Sequence, residues 1–185
     1  MKSIILTITI VLAAGVSLAQ QKKLKFHSIN SIAITGGESP AAVAYETVNG
    51  FGFSSWFAGL GASLDNYHFQ SIPVFLDSRK YFGNEKQLFL FGNIGGNFPV
   101  QKQAAKEFSY HDDYYFKGGF YADAGIGYRF PVKKTSLVFT VSNSYKSMQG
   151  RSINYVECLV APCPVSFKDY YYNFYRVMIK AGVMF

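Results

Sequence analysis

After Ala19 the sequence has no apolar run long enough to form a membrane-spanning helix. Such a helix needs about 20 consecutive apolar residues. An integral membrane form of this chain must therefore cross as a β-barrel, whose strands satisfy one another's backbone hydrogen bonds.

Charged residues are also scarce, at 16% of the chain, whereas 49% of the 185 residues are hydrophobic and 18% are aromatic. This length suits one domain. The net charge of +7 is scattered along the chain, with Lys86, Lys133 and Lys134 falling in short turns. We interpret these lysines as solvated turn residues, and we expect no nucleic acid partner.

Only two cysteines are present, Cys158 and Cys163, and they enclose a Leu-Val-Ala-Pro segment. In an oxidising compartment the first expectation is a disulfide. Closing so short a loop contributes about 2 kcal/mol in the chain-entropy model, so it would shape a loop tip. Free thiols and metal ligation are the alternatives, but the spacing lacks the further ligands of a zinc site. We predict no metal and no cofactor.

Residues 1–19 have the pattern of a cleaved Sec signal peptide. Lys2 gives a positive start, Ile4–Ala14 an apolar stretch, and Ser17-Leu18-Ala19 a small-residue cleavage site. Residues 20–185 are then the mature domain. The residue directly after the cleavage site is Gln20 and not a cysteine, so we expect no lipid attached there.

Alternating apolar and polar residues, broken by Gly, Asn and Pro, predict about eight strands. They lie near residues 23–35, 42–51, 56–66, 72–82, 87–97, 118–131, 136–147 and 171–185. Short turns are expected on the periplasmic side, at 52–55, 83–86 and 131–135. The outer connections would be 36–41, 67–71, 98–117 and 148–170. Short inner turns and longer outer loops are typical of an all-β, transmembrane, antiparallel up-and-down barrel.

A soluble barrel with its apolar face inward would show the same alternation. Four glycines, however, fall on the charged face: Gly59, Gly61, Gly125 and Gly127. A narrow lumen needs small residues beside large ones, while a solvated surface gains nothing from them. With the export signal, this pattern favours a membrane barrel.

Four segments carry a resemblance to a known family. They are WFAGLG at 56–61, SIPVFLD at 71–77 with Arg79 and Tyr81 after it, GGFY at 118–121 with GIG at 125–127, and GVMF at 182–185. In this order the chain resembles the outer-membrane protein β-barrel domain family of gram-negative bacteria, over essentially the whole mature sequence. The resemblance implies a location among outer-membrane lipid, but the family has no common activity.

The resemblance also implies a partner during biogenesis, the barrel-assembly machinery, which reads the last strand. The residues that match its signal are Tyr175, Val177, Ile179, Ala181, Val183 and Phe185.

Four acidic and four basic residues fall on the predicted lumen face. They are Glu46, Asp65, Asp77, Arg79, Asp123, Arg129, Arg176 and Lys180. Eight strands leave an interior that side chains just fill, and an isolated charge out of water is costly. We therefore expect these charges to pair and to plug the lumen, leaving no open pore. The same residues could instead line a transport or proton path.

The sequence shows no cluster of Ser, His and acid that would make a lipid hydrolase. His27-Ser28 is the only adjacent pair, and strand neighbours point to opposite faces. His68 and His111 lie near acidic residues in loops, where we interpret them as solvated side chains. Gly125-Ile126-Gly127 lacks the third glycine of a dinucleotide-binding loop. We predict that the chain is not an enzyme.

The two long outer connections are rich in aromatic residues, including Phe108, Tyr110, Tyr114, Tyr115, Phe116, Tyr170, Tyr171 and Tyr172. They could extend an interfacial girdle, or bind another envelope protein, a glycan or a ligand. The predicted function is envelope structure or docking through these extracellular loops. The alternatives are a narrow transporter for small or apolar solutes and a lipid-modifying enzyme.

Overall fold

The structure is a computed structural model, and it describes residues 24–83, 85–100, 112–155 and 165–185. These residues form antiparallel strands. The strands are β1 (Lys25–Gly37), β2 (Ala42–Phe53), β3 (Trp56–Asp65), β4 (Ser71–Phe82), β5 (Leu88–Pro99), β6 (Asp112–Lys117), β7 (Gly119–Val132), β8 (Thr135–Tyr155) and β9 (Val165–Met184). Among these residues no helix is both long and apolar enough to cross a membrane. The predicted signal peptide and both cysteines lie outside the described ranges.

The sheet closes on itself. Apart from β6, each strand pairs with the next strand along the chain, and β1 pairs with β9 from Ile29↔Met184 to Gly37↔Arg176. β6 and β7 occupy one position, because both pair with β8 and only Gly118 separates them. The ring therefore has eight positions, and the predicted fold class is confirmed.

The period-2 pattern of the sequence becomes the two faces of the wall. In β4, burial alternates from Ser71 to Arg79, with Leu76 60% exposed between buried Phe75 and Asp77. β1 and β2, whose sequences alternate poorly, nevertheless follow the same rule in the closed ring. Ile29 and Glu46 point inward there, and Ile34 points outward. The outward face around the ring is thus predominantly apolar, and the interior face carries the buried charges together with large aromatic side chains.

Glycines let large interior side chains lie against the wall. A Cβ added at Gly61 would lie 2.3 Å from the ring of Phe75, and one added at Gly127 would lie 2.2 Å from the ring of Phe89. Both distances are too short for carbon atoms in contact. The interior therefore requires glycine at these positions, as a narrow lumen does.

The two ends of the barrel differ. At one end, the turn end, β2–β3, β4–β5 and β7–β8 are joined by connections as short as predicted. At the other end, the extended end, the predicted loops 98–117 and 148–170 are wrong in part. β6 begins at Asp112, β8 runs to Tyr155 and β9 begins at Val165. The β8–β9 ladder continues without a break to Tyr155↔Val165. Its backbone hydrogen bonds keep the chain extended where the sequence has lost its hydrophobic alternation.

Candidate functional site

All eight predicted lumen charges lie on the interior face. Seven are buried, with exposed fractions of 6% or less, and Arg129 is partly exposed near the turn end. Lys146, which the sequence analysis did not single out, is also fully buried there. The alternation of β8 could have identified it, because Lys146 lies on the same face of the strand as Ser142 and Ser144, which point inward.

The middle of the lumen holds two ion-pair clusters. Lys180 Nζ lies 2.7 Å from both Glu46 Oε2 and Asp123 Oδ2. Arg79 donates from Nε and Nη2 to the carboxylate of Asp77, at 2.9 and 2.8 Å. The Arg79 guanidinium also lies 5.4 Å from the centre of the Phe89 ring. These charges are compensated within the lumen.

A third ion-pair cluster holds the β3–β4 connection across the extended end of the lumen. Asp65 accepts a hydrogen bond from Arg176 and lies 3.4 Å from Lys146 Nζ. Lys146 donates to the carbonyl oxygens of Tyr67 and Phe69, at 2.9 and 3.2 Å. Tyr67 is itself fully buried. The β3–β4 connection is thus folded into the lumen and held there.

Aromatic side chains fill most of the remaining interior. The buried core includes Phe57, Phe75, Tyr81, Phe89, Phe91 and Tyr121. The cavity that remains beside Arg79 and Lys180 has a volume of about 10 Å³. A single water needs about 10–15 Å³, so this interior holds at most one water at that place.

At the extended end, β6, β8 and β9 continue as a three-stranded sheet, which we call the extended sheet (112–117, 147–155 and 165–173). Its outward face presents Phe167 and Tyr171, which are 62% and 69% exposed. Between them Arg151 donates to Asp169 at 2.6 and 2.9 Å. This hydrogen bond lowers the pKa of the Asp169 carboxyl from its ordinary value.

The predicted assembly residues lie on the outer face of β9. Tyr175, Val177 and Ile179 are 50% exposed or more, and Phe185 is 59% exposed. The backbone of Phe185 exchanges two hydrogen bonds with Ser28, at 2.9 and 3.3 Å. Phe185, the residue after β9, therefore extends the ring closure against β1.

The structure brings together one Ser–His pair that sequence reasoning missed. His68 Nδ1 lies 3.1 Å from Ser39 Oγ, and both residues are at the extended end. Their separation in sequence hid the contact. Among the described residues no carboxylate hydrogen-bonds to this imidazole, so the third member of a catalytic triad is not in place.

No protein-family model matches the sequence, and no curated protein matches it. Solved structures do match. Neisserial surface protein A (NspA) aligns with a TM-score of 0.52 at 11% identity, over 88% of this chain and 97% of that one. The outer membrane protein OprG from Pseudomonas aeruginosa aligns with a TM-score of 0.52 at 11% identity, over 86% of this chain and 95% of that one. At this identity the likeness shows the fold, which is that of the small outer-membrane β-barrels.

Proposed function

We propose that this small barrel is a non-enzymatic protein of the bacterial outer membrane, that its lumen is plugged, and that it docks another envelope protein through the extended sheet. The observation that carries the proposal is the contrast between the interior of the barrel and the extended sheet. The interior is filled and its ion pairs are internal, whereas the extended sheet exposes large aromatic side chains beyond the barrel.

The exposed apolar side chains around the wall support residence in a membrane, because in water they would form one continuous apolar surface. In this proposal the turn end faces the periplasm and the extended end faces outward, as in barrels with short periplasmic turns and longer outer segments. The last strand, up to Phe185, would be the part that the barrel-assembly machinery reads.

A plugged lumen predicts that the purified protein carries no steady current in a planar lipid bilayer. In this proposal the aromatic core and the three ion-pair clusters block a continuous aqueous path, and opening one would leave buried charges unpaired. Insertion is checked independently by the heat-dependent gel mobility of the folded barrel. Steady open-channel currents from inserted protein would contradict the plugged lumen and favour the narrow transporter.

Docking through the extended sheet follows from its length and its surface. A tilted strand crosses a bilayer in about 9–11 residues, whereas β8 has 21 and β9 has 20. The surplus carries Phe167 and Tyr171 away from the barrel wall. Exposed aromatic side chains with polar neighbours such as Arg151 and Asp169 are typical of binding surfaces.

The docking proposal is tested by placing a photo-crosslinking amino acid at Tyr171 in the native bacterium. The matched control is the same substitution at Tyr175, which is 67% exposed on the same face but lies beside the ring closure with β1. We expect one stoichiometric protein adduct at 171 and none at 175. No adduct at 171, together with solute uptake that depends on the protein, would overturn docking.

A further inference from the structure

The turn end of the lumen opens into a cavity of about 580 Å³, which we call the turn-end mouth. Its lining includes Lys25, His27, Lys86 and Arg129, together with Phe57 and Tyr81, whose aromatic side chains are buried on the lumen face. None of its described lining residues is acidic. The cavity is thus cationic on one part of its wall and aromatic on another.

Arg129 has no counterion among the described residues. The interior contains four carboxylates and five cations, and the carboxylates form ion pairs with Arg79, Lys146, Arg176 and Lys180. The guanidinium of Arg129 lies 5.2 Å from the centre of the Tyr81 ring, and its Nε is buried without a hydrogen-bond partner. A cation partly withdrawn from water in this way is stabilised by an anion nearby.

Few groups of the surrounding surface could supply that anion. The described residues of the turn end include six basic side chains, Lys25, Lys80, Lys86, Arg129, Lys133 and Lys134, against the single acid Glu85. Lys86 Nζ donates to the carbonyl oxygen of Ser54 at 2.7 Å, which is a neutral partner. The charges of the same sign raise the local concentration of anions at this end.

We propose that the turn-end mouth binds a small organic anion, a phosphate monoester or a carboxylate. Arg129 and Lys86 hold its charged group, and its organic body lies against Phe57 and Tyr81. The volume falls in the range of about 300–1,000 Å³ that small-molecule sites occupy. Anion binding is separate from docking, and it rests on the proposed function only for the orientation that places the turn end in the periplasm. The anion is either a soluble metabolite or the headgroup of a lipid in the facing leaflet.

Trp56, the only tryptophan of the chain, lies on the outward face beside Lys80, so occupancy is measured by isothermal titration calorimetry. Glycerol 3-phosphate is titrated into the folded barrel in an uncharged detergent, against sodium chloride at equal ionic strength. We expect a saturable heat of binding with glycerol 3-phosphate and none with chloride. Arg129→Gln should weaken binding about tenfold or more, because it removes a charge-assisted hydrogen bond.

The matched control is Lys133→Gln, which removes the same charge from the same end but does not line the mouth. We expect less than a twofold effect there. Lys86→Gln, on an exposed turn, tests the site without disturbing the interior and should weaken binding at least threefold. No saturable change, or equal weakening by Lys133→Gln and Arg129→Gln, would overturn the proposal.

Nanodiscs distinguish the two sources of the anion. In phosphatidylcholine discs glycerol 3-phosphate should bind as in detergent. If discs containing phosphatidylglycerol suppress the titration, a lipid headgroup occupies the mouth. An unchanged titration in both discs indicates a soluble anion. Either result is independent of the crosslinking at Tyr171, so the site and the docking function can fail separately.

Discussion

Lys180 is the residue whose loss should most disturb the plugged lumen. Its Nζ lies 2.7 Å from Glu46 and 2.7 Å from Asp123, and the three side chains are exposed by 4%, 3% and 0%. Lys180→Met preserves length and apolar volume but removes the cation between two carboxylates. We expect the barrel to lose stability because both carboxylates then stay buried without their shared partner.

The magnitude follows from the geometry. At an effective dielectric constant of about 20, two unit charges separated by 2.7 Å attract by about 6 kcal/mol. Desolvation offsets much of this attraction, and removing one partner of a buried pair costs about 3–5 kcal/mol. At about 1.4 kcal/mol for each factor of ten, the unfolding constant should rise by about two to four orders of magnitude.

The assay is urea unfolding of the folded barrel in lipid vesicles, followed by Trp56 fluorescence and by gel mobility. Lys134→Met, in an exposed turn, is the control and should change the free energy of unfolding by less than about 0.5 kcal/mol. A background of Glu46→Gln with Asp123→Asn should reduce the cost of Lys180→Met, because no buried charge is then left alone. The reasoning is refuted if Lys180→Met costs less than about 1 kcal/mol, or if that background leaves its cost unchanged.

Three further outcomes follow from the structure. Gly127→Ala should cost about 1–3 kcal/mol of unfolding free energy by overpacking, since its Cβ would lie 2.2 Å from an aromatic ring. Gly92→Ala should be tolerated, because its Cβ would have no atom within 4 Å. Equal urea midpoints for the two variants would contradict this. Asp169 should titrate below 3.8 by carbon NMR, because the hydrogen bond from Arg151 lowers the pKa of its carboxyl. The pair therefore persists at neutral pH and is lost only as the pH falls through the lowered pKa. A midpoint above 3.8 would exclude the hydrogen bond in solution. A thiol count should find Cys158 and Cys163 unreactive, and two reactive thiols would exclude the disulfide.

The extent of the strands shows where sequence reasoning stops. Alternation located every strand that faces an apolar layer on one side, because only there do the two faces differ in chemistry. It missed β6 and the outer halves of β8 and β9, which are held by backbone pairing such as Lys117↔Gln149. Backbone pairing carries no side-chain period, so these segments resembled loops.

The interior face could be predicted, but the partners of its residues could not. The inward phase of Asp65, Arg176 and Lys180 follows from period 2 alone. That Asp65 binds Arg176 rather than another cation depends on the register between distant strands and on how the ring closes. The contact of His68 with Ser39, two residues in separate connections, likewise appears only in three dimensions.

The sequence by itself determined an eight-membered antiparallel ring with apolar residues outside and charges inside, because a strand that separates two environments must alternate. The tertiary structure decided which charges neutralise each other, and among the described residues it pairs no carboxylate with Arg129 at the turn-end mouth. It also decided that the chain beyond the barrel continues as a sheet. Pairing across a closed barrel depends on strand register, and no local pattern of residues encodes that register.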